Sequence, residues 1–301
     1  MAKAVSDPSL ETLIVAYHAL IVTVVGTFFN LLTFVILCRS TFRDVKARPT
    51  LHYMRTMAIF DVLMFYGWNL SHYTFPVHGY YPININMPIC KLVSFLNYFP
   101  GQVSAWLRVF VCLDRYLSLS RLQKTWFQNS KHVLIIIGCI LGFFTLLNLH
   151  FFFFACYYGI YGEIVANSWL FEIYPLWDHV HLGIYNCAPL VLMIVFNGGV
   201  IYHLTRLRQT STVQNSRIQH RAISITLVIT TFLFLVMTIP SGVAFSFFYT
   251  ANRALLNFLD GMLYTYHMLT FLVYFITWSE FRRECIALIT RRKINAHVGP
   301  P

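Results

Sequence analysis

The chain has 301 residues, of which 57% are hydrophobic and 11% are charged. A soluble domain usually has about 25% charged residues, so this composition excludes an ordinary soluble protein and predicts a polytopic membrane protein. The net charge of +11 would suit nucleic acid binding, but the cations cluster in short loops between long apolar runs, as in cytoplasmic loops of membrane proteins.

Seven apolar segments predict an all-α bundle of seven transmembrane helices. They cover residues 12–38, 48–72, 88–119, 131–155, 179–206, 219–249 and 254–277. A short outer segment, 1–11, precedes the bundle at 12–278. Residues 279–301 follow as an amphipathic helix and a short tail, because apolar residues alternate there with Arg282 and Arg283. Cys285 in this helix is a candidate for S-palmitoylation, and an unmodified apolar cysteine is the alternative.

Loop charges predict the orientation of the bundle. The loops after the first, third and fifth spans and the tail carry most of the basic residues: Arg39, Arg43, Lys46, Arg48, Arg121, Lys124, Lys131, Arg206, Arg208, Arg217, Arg221, Arg282, Arg283, Arg291, Arg292 and Lys293. The positive-inside rule then places the N-terminus outside the cell and the C-terminus in the cytoplasm. Acids gather on the outer side: Asp7, Glu11, Glu163, Glu172, Asp178 and Asp260. Either the outer loops merely lack cations, or these acids attract a cationic ligand.

The third span is the most informative. It begins near Cys90 and ends at Asp114-Arg115-Tyr116. Twenty-five residues separate Cys90 from Arg115, which in a helix is roughly 37 Å, enough to cross a bilayer. The cysteine can form a disulfide on an oxidising outer side, and the charged pair can meet a cytosolic partner. This layout is typical of a receptor that carries a signal across a membrane.

Polar residues form a stripe on each of two spans, because their steps of three, four or seven residues keep them on one helix face. The third span has Asn97, Gly101, Ser104, Arg108 and Arg115, and the seventh has Asp260, Tyr264, His267, Thr270 and Tyr274. Asn30 and Asp61 add single polar groups in the first two spans. Such residues either hold helices together or serve function, and for the charges Asp61 and Arg108 the second interpretation is favoured.

Other chemistries find little support. A retinal pigment needs a lysine in the last span, and no lysine occurs between residues 132 and 292. The histidines are scattered; His179 and His181 are two residues apart, too close to share a helix face. No phosphate-binding loop or nucleophile elbow is present. We therefore expect no enzyme activity, no cofactor and no metal.

In these motifs the chain resembles rhodopsin-like (class A) G-protein-coupled receptors over about 12–292. The matching residues are Asn30, Asp61, Cys90, Asp114-Arg115-Tyr116, Pro189, Pro240, Tyr274 and Phe281-Arg282-Arg283. The chain departs from the family at Phe29, at Met237-Thr238-Ile239-Pro240, at Asn197 and at Thr270-Phe271-Leu272-Val273-Tyr274, and its fourth span lacks the family's tryptophan. These variants are most similar to FMRFamide-receptor-like invertebrate peptide receptors and their orphan relatives. The sixth span therefore lacks the tryptophan whose rotamer change accompanies activation in other members of the family.

The resemblance implies a disulfide between Cys90 and an outer-loop cysteine, for which Cys156 is preferred over Cys187. It implies a ligand site at the outer ends of the helices, where we expect Asn97, Tyr98, Gln102, Asp260 and Tyr264. Asp260 suits the arginine of an RF-amide peptide; alternatively it pairs with Arg253. Asn97 replaces the aspartate of amine receptors, so a salt bridge to a small amine is not expected there.

At the inner face the resemblance implies that Asp114, Arg115, Tyr116 and Tyr274 serve G-protein coupling. Arg115 pairs with Asp114 in the inactive state and meets the G protein once the sixth helix, kinked at Pro240, swings outward. Residues 219–221 offer no carboxylate to hold that helix, so the inactive state is expected to be less favoured.

Arg108 is the least conventional residue of the predicted polar core, which comprises Asn30, Asp61, Ser104, Arg108 and Thr270. Family members hold a sodium ion with residues like Asp61 and Ser104. A guanidinium one turn from Ser104 can reach Asp61 and replace that ion. The alternative is that Arg108 hydrates the core and raises basal activity.

The expected function is therefore a plasma-membrane receptor that passes an extracellular signal, expected to be an RF-amide neuropeptide, to heterotrimeric G proteins. Membrane lipid is the other expected partner, and nucleic acid is not expected. Three alternatives stay open: a chemosensory receptor for a small molecule, a seven-helix scaffold that does not couple, and a transporter.

Overall fold

A computed structural model describes residues 9–39, 42, 49–120, 129–165, 176–208, 215–248, 250 and 252–290. Most of the predicted outer segment 1–11, half of the sixteen basic residues used to predict the orientation, and the tail beyond 290 lie outside these residues. Glu172 and the side chains of 219–221 also lie outside them.

The described chain is almost entirely helical, which confirms the all-α prediction. Its helices are α1 (Leu10–Leu37), α2 (Thr50–Met64), α3 (Leu70–His78), α4 (Met87–Leu119), α5 (Ser130–Leu147), α6 (His150–Phe154), α7 (Leu176–His181), α8 (Ala188–Arg208), α9 (Asn215–Phe247), α10 (Arg253–Thr277) and α11 (Ser279–Ile289). A π-helical turn, Phe65–Asn69, joins α2 to α3, and a second, Leu182–Cys187, joins α7 to α8. The second predicted span therefore continues past residue 72 to His78, where Gly79 ends the helix in the left-handed conformation (φ 76°).

Within the described residues, four helical segments are long and apolar enough to cross a membrane: Leu10–Leu37, Ser130–Phe154, Leu176–Arg206 and Ser224–Phe247. Helix α4 illustrates why the other predicted crossings are less apolar. It carries buried polar residues, among them Gln102, Ser104 and Arg108, and packs against α2, α5 and α8. A helix enclosed by other helices needs less apolar surface than one that faces lipid.

The helices pack as a closed bundle in which α4 is one member of the ring. Helix α1 contacts α2 and α10, α2 contacts α4, α4 contacts α8, α8 contacts α9, and α9 returns to α10. Glycine permits a close approach of two backbone segments: a Cβ at Gly67 in the first π-helical turn would lie 2.9 Å from the carbonyl oxygen of Leu96. The bundle thus brings residues from distant parts of the sequence to one central axis.

A small hairpin covers one end of the bundle and adds two short strands to the all-α fold. Strand β1 (Tyr157–Tyr158) pairs antiparallel with β2 (Ile164–Val165). The hairpin directly follows Cys156, which forms a disulfide with Cys90 at the start of α4, with 6.2 Å between the Cα atoms. The preferred cysteine pairing is confirmed, while Cys187 is a free thiol on the second π-helical turn.

Helix α11 follows α10 directly and packs against α10 and α1. Its exposed residues include Arg282, Arg283, Ile286 and Ile289, and Phe281 and Cys285 are buried. The predicted helix after the bundle is present. Cys285, however, faces the protein, and burial raises the pKa of its thiol. S-palmitoylation stays a prediction, and it would require this side chain to turn outward.

Candidate functional site

A cavity of about 370 Å³ opens at the end of the bundle that carries the disulfide. Its walls come from α4, α7, α9, α10 and both π-helical turns. Four of the five predicted ligand residues line it: Asn97, Tyr98, Asp260 and Tyr264. Aromatic rings from Trp68, Tyr185 and Phe245 complete much of the wall.

Gln102, the fifth predicted ligand residue, does not line the cavity, and its role in ligand binding stays a prediction. It is fully buried, and its Oε1 accepts a hydrogen bond of 2.6 Å from the Nδ2 of Asn148. Its Nε2 lies 3.1 Å from the Nδ1 of His181. Gln102 therefore ties α4 to the end of α5 behind the cavity wall. Gln102 lies four residues after Tyr98, slightly more than one turn further along α4, and so faces Asn148 rather than the cavity.

Asp260 pairs with His72, a partner that the sequence does not predict. Its Oδ2 lies 2.7 Å from the Nε2 of His72, and its Oδ1 accepts a hydrogen bond of 3.3 Å from Ser241. The alternative partner Arg253 is exposed at the start of α10 and lines the rim of the cavity. The carboxylate thus joins α3, α9 and α10 while still facing the cavity.

A second carboxylate, Asp178, lines the cavity from α7. It accepts a hydrogen bond of 3.0 Å from the hydroxyl of Tyr98, and its backbone carbonyl accepts one of 3.0 Å from Ser246. The sequence predicts Asp178 only as one of the outer acids. Its hydrogen bonds with Tyr98 and Ser246 hold it at the cavity wall.

Below the cavity, Arg108 and Asp61 form the predicted contact in the centre of the bundle. The Nη2 of Arg108 lies 2.7 Å from the Oδ2 of Asp61, and its Nη1 donates to Ser104 at 2.6 Å. Ser104 in turn donates to Asp61. The guanidinium also lies over the ring of Tyr266, 5.0 Å from its centroid. The ion pair is almost fully buried, so each charge depends on the other for compensation.

His267 connects this ion pair to the cavity. Its Nδ1 lies 2.7 Å from the Oδ1 of Asp61, and its Nε2 lies 3.1 Å from the hydroxyl of Tyr185, which lines the cavity. A neutral imidazole that donates from Nδ1 to a carboxylate must accept at Nε2, so Tyr185 donates to it. A continuous hydrogen-bonded chain of buried side chains, Tyr185–His267–Asp61–Arg108, therefore runs from the cavity to the core.

The other predicted core residues contribute unequally. Asn30 donates to the carbonyl oxygen of His267 at 3.2 Å and so fixes α1 against α10. Thr270 donates to Tyr266 one turn earlier in its own helix, and this bond makes no link to Asp61. The contact with Asp61 expected of Thr270 is made instead by His267, which lies three residues earlier in the same polar stripe. Tyr185 and Tyr266 were missed because tyrosines in a chain so rich in aromatics carry no distinctive sequence signal.

At the opposite end of α4, Thr50 bridges Asp114 and Arg115. The Thr50 hydroxyl donates to Asp114 at 2.6 Å and accepts from the Nη2 of Arg115 at 2.9 Å, and Arg115 Nε lies 4.0 Å from Asp114. The predicted Asp114–Arg115 pair is present and is strengthened by a threonine that was not anticipated. This geometry holds Arg115 against α2.

The two remaining predicted coupling residues also lie near this end. Tyr116 packs on Phe196 and His203 of α8, where Gly199 leaves room for its ring. Tyr274 is buried near the end of α10 and contacts Trp278 and Phe281 edge to face. The structure thus brings Asp114, Arg115 and Tyr116 to one end and places Tyr274 beside the start of α11.

In the described part of the chain, no group of three histidine, cysteine, aspartate or glutamate side chains is placed to hold a metal ion. No protein-family model matches the chain, and no curated protein shows significant similarity to it.

Proposed function

We propose that the chain is a G-protein-coupled receptor of the plasma membrane. It crosses the membrane seven times, with its N-terminus outside, and it passes the binding of an extracellular RF-amide neuropeptide to heterotrimeric G proteins. The observation that carries this proposal is the buried chain Tyr185–His267–Asp61–Arg108, which begins at a cavity at one end of α4 and ends at Arg108, about two helical turns before Asp114-Arg115-Tyr116. A ligand that moves Tyr185 would change the hydrogen bonding of the core.

The disulfide supports the orientation. Cys90–Cys156 lies at the cavity end, and disulfides persist in oxidising compartments such as the cell exterior. Arg115 lies at the other end and is restrained by Thr50 and Asp114, as expected of a resting state. In our proposal, activation releases Arg115 from α2 so that it can contact the G protein.

One observation favours a second candidate, a chemosensory receptor for a small molecule. The cavity volume of about 370 Å³ is near the lower end of the range of roughly 300–1,000 Å³ for small-molecule sites. A peptide would place only its terminal residues in such a space, whereas a small molecule would be enclosed by it.

The test is G-protein dissociation in cells that express the wild type or Arg115→Ala, with an amidated-peptide library and a small-molecule library as separate stimuli. A response that disappears in Arg115→Ala at equal surface expression supports a coupled receptor, and the active library identifies the ligand class. A response that persists in Arg115→Ala contradicts the proposed coupling site. Silence toward both libraries and all tested G proteins favours the scaffold or transporter alternatives.

A further inference from the structure

Two apolar side chains at the tip of the β1–β2 hairpin are almost fully exposed. Ile160 is 97% exposed and Tyr161 is 94% exposed, the highest values for large apolar side chains in the described part of the chain. Tyr158, at the end of β1, is also largely exposed. Single exposed apolar residues are ordinary on a protein surface, but a group of them at one turn indicates an interaction surface.

The turn between the strands pairs its own backbone donors. The N–H of Gly159 donates to the carbonyl oxygen of Glu163 at 2.7 Å, and the N–H of Gly162 donates to that of Gly159 at 3.0 Å. The N–H of Tyr161 donates to the Glu163 carboxylate at 3.0 Å, for which Gly159 leaves room because a Cβ there would overlap it. An apolar environment around the tip would therefore leave none of these three donors unsatisfied.

The tip lies close in sequence to a segment that is long and apolar enough to cross a membrane. That segment, Ser130–Phe154, ends with the exposed rings of Phe153 and Phe154. Ile160 follows Phe154 by six residues, so even an extended chain would separate the two by only about 20 Å. The tip is therefore within reach of the level at which the apolar layer of the membrane meets the lipid headgroups.

The size and chemistry of the tip favour lipid over a protein partner. A large side chain that becomes covered contributes about 150–250 Å², so three of them supply roughly 450–750 Å², less than the roughly 800 Å² per partner of a specific protein interface. No lysine or arginine occurs between residues 132 and 205, so this part of the chain offers no cation to an acidic partner. Tyrosine, in contrast, is enriched where membrane proteins meet the headgroup region.

We infer that the hairpin tip, formed by Tyr158, Ile160 and Tyr161, is inserted into the headgroup region of the leaflet on the cavity side of the membrane. The contact is apolar, so it requires no anionic lipid. This inference goes beyond the proposed receptor function and does not depend on coupling to a G protein.

Lipid contact at the tip would also position the wall of the cavity. Strand β2 contacts the short helical turn Pro82–Asn84, and Ile83 of that turn lines the cavity. At its other end the hairpin follows Cys156, which is bonded to Cys90 at the start of α4. The hairpin is thus fixed to the bundle at its base, and the membrane holds its tip.

The first test measures the fluorescence of a tryptophan at the tip, in the purified full chain in phosphatidylcholine nanodiscs. Ile160→Trp adds one tryptophan to the six of the native chain, and subtraction of the wild-type spectrum isolates its emission. This emission should lie at shorter wavelength than that of tryptophan in water. Lipids brominated near the headgroup should quench it more than lipids brominated near the chain end.

The matched control is Ile85→Trp. Ile85 is also an exposed isoleucine at the cavity end of the bundle, but it is flanked by Asn84 and Asn86 and lies outside the hairpin. Its emission should resemble that of tryptophan in water, and brominated lipids should quench it less than they quench Ile160→Trp.

A second measurement needs no added tryptophan, which itself favours the headgroup region. The double variant Ile160→Ser, Tyr161→Ser should show faster amide hydrogen exchange in β1 and β2 than the wild type in phosphatidylcholine nanodiscs. In amphipol, which offers no headgroup layer, the two proteins should exchange at the same rate.

Quenching of Ile160→Trp by aqueous iodide but not by brominated lipid would overturn the inference and leave a protein partner as the occupant of the tip. Unchanged exchange in the serine variant would also overturn it, because only the added tryptophan would then reach the lipid. Faster exchange in both nanodiscs and amphipol would do the same, because the two side chains would then stabilise the hairpin without lipid.

Discussion

Carboxylates in the core and carboxylates in the cavity wall have different kinds of partner. Asp61 is buried against Arg108, Ser104 and His267, and an internal cation neutralises its charge. Asp178 accepts a hydrogen bond from a tyrosine hydroxyl, and Asp260 contacts a histidine imidazole. Both carboxylates line the open cavity. A carboxylate therefore balances an internal positive charge in the core, whereas the two in the cavity wall are not paired with a lysine or arginine among the described residues. A buried charge indicates a ligand site only where the protein supplies no counter-ion of its own.

The largest expected effect comes from breaking the core pair. Arg108→Leu leaves Asp61 buried without its cation, so we expect a loss of about 3–5 kcal/mol in the free energy of unfolding and little protein at the cell surface. Thermal unfolding in detergent and surface labelling measure both quantities. The double variant Asp61→Asn, Arg108→Leu should recover much of the loss, and Arg283→Leu on exposed α11 should behave like the wild type. A stable, well-expressed Arg108→Leu would contradict the central role of the pair.

Removing the disulfide should cost slightly less. Cys90→Ser opens a link between residues 66 positions apart, which we expect to lower the free energy of unfolding by about 2–4 kcal/mol and to reduce surface expression. Cys139→Ser, an exposed free cysteine on α5, is the control. Normal expression and ligand response of Cys90→Ser would show that the cavity end folds without the bond.

Cutting the connection between the two regions should have a moderate effect. His267→Ala removes the partner of both Tyr185 and Asp61, with an expected loss of about 1–3 kcal/mol in stability and a changed basal G-protein signal. Thr270→Val is the matched control, since the hydroxyl donates within its own helix. Equal basal signals in the two variants would remove His267 from the proposed route.

The smallest expected effect is that of sodium on agonist affinity, which distinguishes Arg108 as the partner of Asp61 from a bound sodium ion. Because Arg108 occupies the carboxylate of Asp61, replacing choline chloride by sodium chloride at about 150 mM should leave agonist affinity unchanged. Radioligand competition in washed membranes measures this. Clear sodium inhibition would mean that Asp61 binds a sodium ion and that Arg108 does not occupy the Asp61 carboxylate in solution.

The sequence predicted the helices well and the partners of single residues less well. Apolar segments and loop signals located the helices because their periodicity is local. The contact of Arg108 with Asp61 could be anticipated because two charges deep in a bundle need each other. The pairing of Asp260 with His72 could not, since it depends on how α3 and α10 meet. The burial of Asn186 beside Tyr185 could not be predicted either, because it depends on the π-helical turn Leu182–Cys187.

In our proposal the cavity communicates with the inner end of the bundle through Tyr185. The variant that tests this best is Tyr185→Phe, which removes one hydroxyl and keeps the ring; the measurement is agonist-stimulated G-protein dissociation at surface expression and ligand occupancy equal to those of the wild type. We expect a reduced maximal response, because the hydrogen bond to His267 is lost. A full response would contradict this proposal and would show that the signal crosses the bundle by another route.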